Sequence, residues 1–176
     1  MRGRARPEDY ARLPLHAHER LADVPLHDVW QVDLPGSGDV AISEIRDLMS
    51  FERLASLNPV VRGLFRLRGW LGALFGWDRE PPAAPTGERD GPFTVVYAND
   101  REVISEIRNA TVHAFSVFAL ERRPEGSRLF WAIHVRTVGR ITPFYMALID
   151  PFRRWLIYPA ILRHVERGFA TRDTLG

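Results

Sequence analysis

The chain contains no cysteine and no lysine. The first absence excludes a disulfide scaffold, a thiolate zinc site and a cysteine nucleophile. The second means that all 24 basic residues are arginines. Set against 22 acidic residues they leave a net charge of +2, although the isoelectric point is about 9.5. Arginine keeps its proton far above neutral pH, so the charge falls slowly on the alkaline side. The high isoelectric point is therefore no sign of a nucleic-acid binder, because so small a charge grips a phosphate backbone weakly. All-arginine usage reads as the mark of a high-GC bacterial genome. A cysteine-free chain fits a reducing cytoplasm. No apolar run reaches the ~18 residues that a membrane span needs. The basic start, Met1 to Pro7, leads into Glu8 and Asp9 rather than into the apolar core of a secretory signal.

What the chain does have is 176 residues, 45% of them hydrophobic and 26% charged. That is the composition of one globular domain. Residues 1–25 are polar and broken by Pro7, Pro14 and Pro25, and read as an irregular arm. In Leu26–Leu34 the residues Trp30, Val32 and Leu34 alternate with Gln31 and Asp33, which predicts a strand. Ile42, Ile45, Leu48 and Met49 recur at helical spacing. Asn58-Pro59 is a start signal for a second helix, with Val60, Leu64, Leu67, Leu71 and Leu74 in one stripe. Residues 78–92 read as a loop. Period two then returns in 93–98, 101–108, 111–121 and 129–138, an antiparallel meander turning at Asn99-Asp100 and across 122–127. A long helix is predicted from about Thr142 to Arg167, with Phe144, Leu148, Phe152, Trp155, Pro159 and Leu162 along one side. Pro151 and Pro159 predict a kink or a break in it. The order is α+β: a curved antiparallel sheet, two short helices after the first strand, and a long C-terminal helix in the concave face. The units are an arm over 1–25, one domain over 26–170 and a tail over 171–176.

Three segments carry a family resemblance. They are Phe93–Asn109, the Trp131–Arg136 strand with Gly139-Arg140, and the run Phe144–Pro159, which includes Tyr145-Met146 and Pro151-Phe152-Arg153. Together with the Leu67–Trp77 run they resemble an uncharacterised bacterial family, domain of unknown function 2867, over about Leu26 to Arg167. That family is similar to the START/Bet v 1-like (SRPBCC) helix-grip group, which holds lipid carriers, polyketide cyclases and aromatases. The resemblance implies a cavity between sheet and helix. It supplies no catalytic residue and no cofactor. Some members follow an NAD(P)-binding domain, but this chain has no glycine-rich dinucleotide fingerprint.

The remaining motifs are weighed against plainer readings. Gly36-Ser37-Gly38 lacks both the third glycine of a dinucleotide loop and the lysine of a P-loop, and reads as a strand-to-helix turn. His16, His18 and Glu19 lack the second histidine of a zincin helix, so no metal is expected there. If Glu121 pairs with Arg128, His113, Phe115, Val117 and Ala119 share a face with Phe130, Ala132 and His134. The opposite, more apolar face then meets the helix. The histidine face is left as a solvated surface, a dimer interface or a functional pair. The helix over 59–77 reads as core packing before a membrane-surface helix.

These residues point to a domain that binds an apolar or aromatic small molecule, or a lipid, rather than to an enzyme. The expected ligand contacts are Trp30, Ser105, Ser116, Phe118, Trp131, Phe144, Tyr145, Phe152 and Trp155. For the serines and Tyr145, a locally satisfied hydroxyl is the plainer reading. Few polar groups in an apolar cavity is the signature of such a site. The alternatives are a cyclase- or aromatase-like enzyme, and a dimeric module that partners an NAD(P)-dependent oxidoreductase.

Overall fold

A computed structural model describes residues 1–34, 40–50, 63, 66, 69, 87–108, 112–138 and 141–173, with the backbone alone at 141, 144, 145 and 171–173. The elements are β1 (Arg2–Arg4), α1 (Pro7–Ala11), α2 (His16–Arg20), β2 (Leu26–Leu34), α3 (Ile42–Leu48), β3 (Arg89–Asp90), β4 (Phe93–Ala98), β5 (Glu102–Arg108), β6 (His113–Arg123) and β7 (Gly126–Arg136). A C-terminal helix follows in three parts: α4 (Ile141–Phe152), a π turn (Arg153–Ile157) and α5 (Tyr158–Asp173). The predicted helix over 59–77 and the Gly36–Gly38 turn lie outside the described residues, apart from Gly63, Arg66 and Gly69, which are helical and exposed.

The fold is α+β. Seven strands form one sheet in the order β1-β2-β7-β6-β5-β4-β3, each antiparallel to its neighbours. The β6–β7 hairpin has the register expected from the sequence, with Glu121 opposite Arg128. It turns through Pro124-Glu125, and Gly126 takes the positive φ of 130° that closes it. At the β4–β5 turn the Asn99 side chain accepts N–H bonds from Arg101 and Glu102, both at 2.8 Å. Within the expected loop over 78–92, the described residues 87–92 hold a short strand, β3, which pairs with β4.

Alternation sorts the sheet into two faces, and both are covered. One carries Trp30, Val32, Phe118, Leu129, Trp131 and Ile133, packed on Tyr158, Ile161, Leu162 and Val165 of α5 and on Ile42 and Ile45 of α3. The other carries Val29, Ile104, Val117, Phe130 and Ala132, packed on Ala5, Tyr10, Leu13, Leu15, Ala17 and Leu21. Residues 1–25 are therefore not an irregular arm. They hold β1, α1 and α2 and form a third layer. The period-two signal gave no hint of this, because that layer is built from single apolar residues spaced by prolines and charges.

The C-terminal helix differs from the predicted stripe. Leu148, Phe152 and Trp155 are exposed, Trp155 to 82%. The buried apolar residues among those described are Met146, Tyr158, Ile161, Leu162, Val165 and Phe169. The predicted interruption takes the form of the π turn. Pro159 has no N–H to give the carbonyl four residues back, and the Tyr158 N–H reaches the Arg153 carbonyl five residues back. One extra residue per turn rotates every later side chain by about 100°, so a stripe drawn at constant helical spacing fails across it.

Candidate functional site

The site is built where β2 meets the π turn. A β-bulge breaks the β2–β7 register between Leu26 and Asp28, so that Leu26 pairs with His134 and Asp28 with Ile133. His27 is the extra residue. A bulge re-aims side chains, and here it lets two consecutive residues reach the same helix. The His27 Nε2 lies 2.9 Å from the Asp150 carboxylate on α4. Asp28 points to the helix side of the sheet, and its side chain is 1% exposed.

Two arginines close over Asp28 without bonding to it. The Arg153 and Arg154 guanidiniums stand 3.9 and 4.0 Å from its oxygens. Both are turned elsewhere. Arg153 donates to Asp150 at 3.0 Å and to the Tyr158 hydroxyl, and Arg154 reaches Asp150 at 3.3 Å. Asp28 therefore keeps two buried carboxylate oxygens with no hydrogen-bond partner among the described residues. The buried Trp30 Nε1–H and Arg154 Nε–H lack one as well. Burial pushes the Asp28 carboxyl above the ordinary carboxylate range, against the pull of Arg153 and His27. Burial likewise raises the Tyr158 hydroxyl.

An aromatic wall continues from this polar end. Tyr158 stands between two tryptophans, its ring 4.9 Å from Trp30 and 4.7 Å, edge-on, from Trp131. Phe118 lies 5.6 Å from Trp131. The Trp131 Nε1–H donates to Ser116 Oγ at 2.8 Å, and Ser105 pairs across the strands with Ser116. Trp30, Ser105, Ser116, Phe118 and Trp131 thus share one buried face, and the hydroxyl of Ser116 is locally satisfied. The side chains of Phe144 and Tyr145 lie outside the description. Phe152 and Trp155 do not join the wall, because the inner side of the helix at that level is occupied by Asp150 and Arg153.

His113 and His134 lie on the face opposite α5, as the register predicts, but that face is covered rather than open to solvent or a partner. Both are buried. His113 Nε2 meets Glu106 at 2.5 Å. His134 Nδ1–H donates to the Val24 carbonyl at 3.0 Å, and its ring stands near Tyr10 in the N-terminal layer. Burial lowers its pKa, and His18 nearby lowers it further. Among the described residues no group of three histidines or carboxylates is placed to hold a metal ion. None of their helices is long and apolar enough to cross a membrane.

His27, Asp28, Asp150, Arg153, Arg154 and Tyr158 were not among the ligand contacts expected from the sequence, although Arg153 ends one of the motifs that carry the family resemblance. A signal existed: Asp150, Arg153 and Arg154 interrupt an apolar helix on either side of Pro151. Together these features define an α+β domain with a buried acid–arginine–tyrosine cluster at one end of an aromatic wall. The family described as "Protein of unknown function (DUF2867)" matches residues 20–160, which include the whole cluster, and the chain belongs to that family. No curated protein matches the chain.

Proposed function

We propose that the protein binds an apolar or aromatic small molecule, or a lipid, between the sheet and the C-terminal helix, in the manner of START/Bet v 1-like helix-grip domains. The element order supports the helix-grip comparison. The binding unit is residues 26–170, with residues 1–25 as its outer cover, in a bacterial, cytoplasmic protein. One observation carries the reading. Asp28 and Trp30 hold buried polar atoms without hydrogen-bond partners among the described residues, at the end of the aromatic wall of Trp30, Tyr158, Trp131 and Phe118. A folded chain leaves such groups unbonded at a cost of about 1–3 kcal/mol each, and a ligand that bonds them removes that cost. Ser105 and Ser116 lie deeper on the same face. Tyr145 and Phe144 belong to the helix that closes the site.

The test is a native mass spectrum of gently purified protein, followed by denaturation and identification of what is released. A reproducible mass above the 20.2 kDa chain supports binding and names the ligand class. A clean unliganded mass in every preparation contradicts it.

A second reading, a cyclase- or aromatase-like enzyme on the same scaffold, has one observation in its favour. Asp28 is a buried carboxyl raised above its ordinary range and set beside arginines, as acid–base groups in active sites are. The partner-module alternative loses one of its surfaces, since the histidine face of the sheet is already covered by residues 1–24.

A further inference from the structure

The Asp28 cluster also says what kind of polar group the ligand carries. Its formal charges cancel. Asp28 and Asp150 supply two negative charges, and Arg153 and Arg154 supply two positive ones within 4.0 Å of them. A ligand carboxylate or ammonium would unbalance a set that is already neutral around the buried Asp28, where an uncompensated charge is costly. The atoms left without partners among the described residues are of both kinds. Asp28 Oδ1 and Oδ2 are acceptors, and Trp30 Nε1–H and Arg154 Nε–H are donors. Asp28 and Trp30 are two residues apart on one strand and face the same side, about 7 Å apart. The Tyr158 hydroxyl is taken by Arg153 and does not fill the gap.

We propose that the site recognises an uncharged hydroxyl on an aromatic or apolar body, the chemistry of a phenol or an alcohol. The hydroxyl donates its hydrogen to Asp28 and accepts one from Trp30 Nε1–H, while the body lies along Trp30, Tyr158 and Trp131. This rests on the binding reading above and narrows it to one ligand class.

The experiment is a fluorescence titration of the whole chain with naphthalene, 2-naphthol and 2-naphthoate. Wild-type protein is expected to bind 2-naphthol at least tenfold more tightly than naphthalene, and 2-naphthoate no more tightly than naphthalene. Asp28→Asn exchanges a charged acceptor for a neutral one and is expected to weaken 2-naphthol about tenfold while leaving naphthalene unchanged. Trp30→Phe keeps a ring and removes the donor, and is expected to reduce the preference for 2-naphthol several-fold. Should Asp28→Asn fail to fold by circular dichroism, Trp30→Phe and the wild-type comparison decide alone. Equal wild-type affinity for naphthalene and 2-naphthol overturns the hydroxyl assignment and leaves the apolar binding reading standing. So does tighter binding of 2-naphthoate. No saturable binding of any of the three overturns both.

Discussion

Asp28 is the residue at which burial and charge most openly conflict. Its carboxyl is held above the ordinary range by burial, so the folded chain binds the proton more tightly than the unfolded chain does. The resulting stabilisation is complete below the unfolded carboxylate value of about 3.9. It is lost as pH rises through the raised folded-state value. Asp28→Asn removes this dependence. In thermal melts from pH 4 to pH 8 the variant is expected to gain on the wild type steadily as pH rises. Melting curves that stay parallel across that range contradict the assignment. Trp30, Ser105, Ser116, Phe118 and Trp131 were legible in the sequence because strict alternation places them on one face. His27 was not, because the bulge between Leu26 and Asp28 takes it out of that alternation, whereas Asp28 is in phase with Trp30 and is marked only by its approach to Arg153, far along the chain.

At the scale of elements, one of the contacts that hold the N-terminal layer is announced by no local pattern. Helix α2 has five residues, too few to persist alone. Its first backbone N–H groups, those of His16 and Ala17, donate to the Glu102 carboxylate at 2.7 and 3.1 Å. Glu102 sits at the start of β5 and is 1% exposed. A carboxylate there satisfies donors that the helix cannot satisfy itself. Glu102→Ala leaves the buried Ala17 N–H without its partner, at a cost of about 1–3 kcal/mol, and frees the part-buried His16 N–H. The expected result is faster hydrogen exchange and faster proteolysis across residues 5–24, with the β6–β7 core unchanged. Uniform loss of protection over the whole sheet would contradict a local anchoring role. The C-terminal helix shows the other limit of sequence reading. Pro151 and Pro159 marked the interruption, but spacing alone could not distinguish a break from a π turn. Only the π turn explains why Trp155 is exposed and Tyr158 is buried.

For the whole molecule, the β4–β7 meander and the opposed faces followed from period and turn chemistry, while the β2–β7 pairing, the third layer and the polar cluster came from long-range pairing. The cluster joins residues more than a hundred positions apart, Asp28 with Arg153 and His27 with Asp150, and no local signal encodes such a pairing. The layers place the aromatic wall inside and Trp155 outside, which gives the binding reading a spatial address. The most direct measurement is a fluorine NMR titration of protein carrying 5-fluorotryptophan at its five tryptophans, with naphthalene as the probe. Single Trp→Phe variants assign the lines. Binding between sheet and helix predicts that the Trp30 and Trp131 lines move to saturation while the Trp155 line stays in place. Movement of Trp155 without the two interior residues, or no movement at all, would contradict the account.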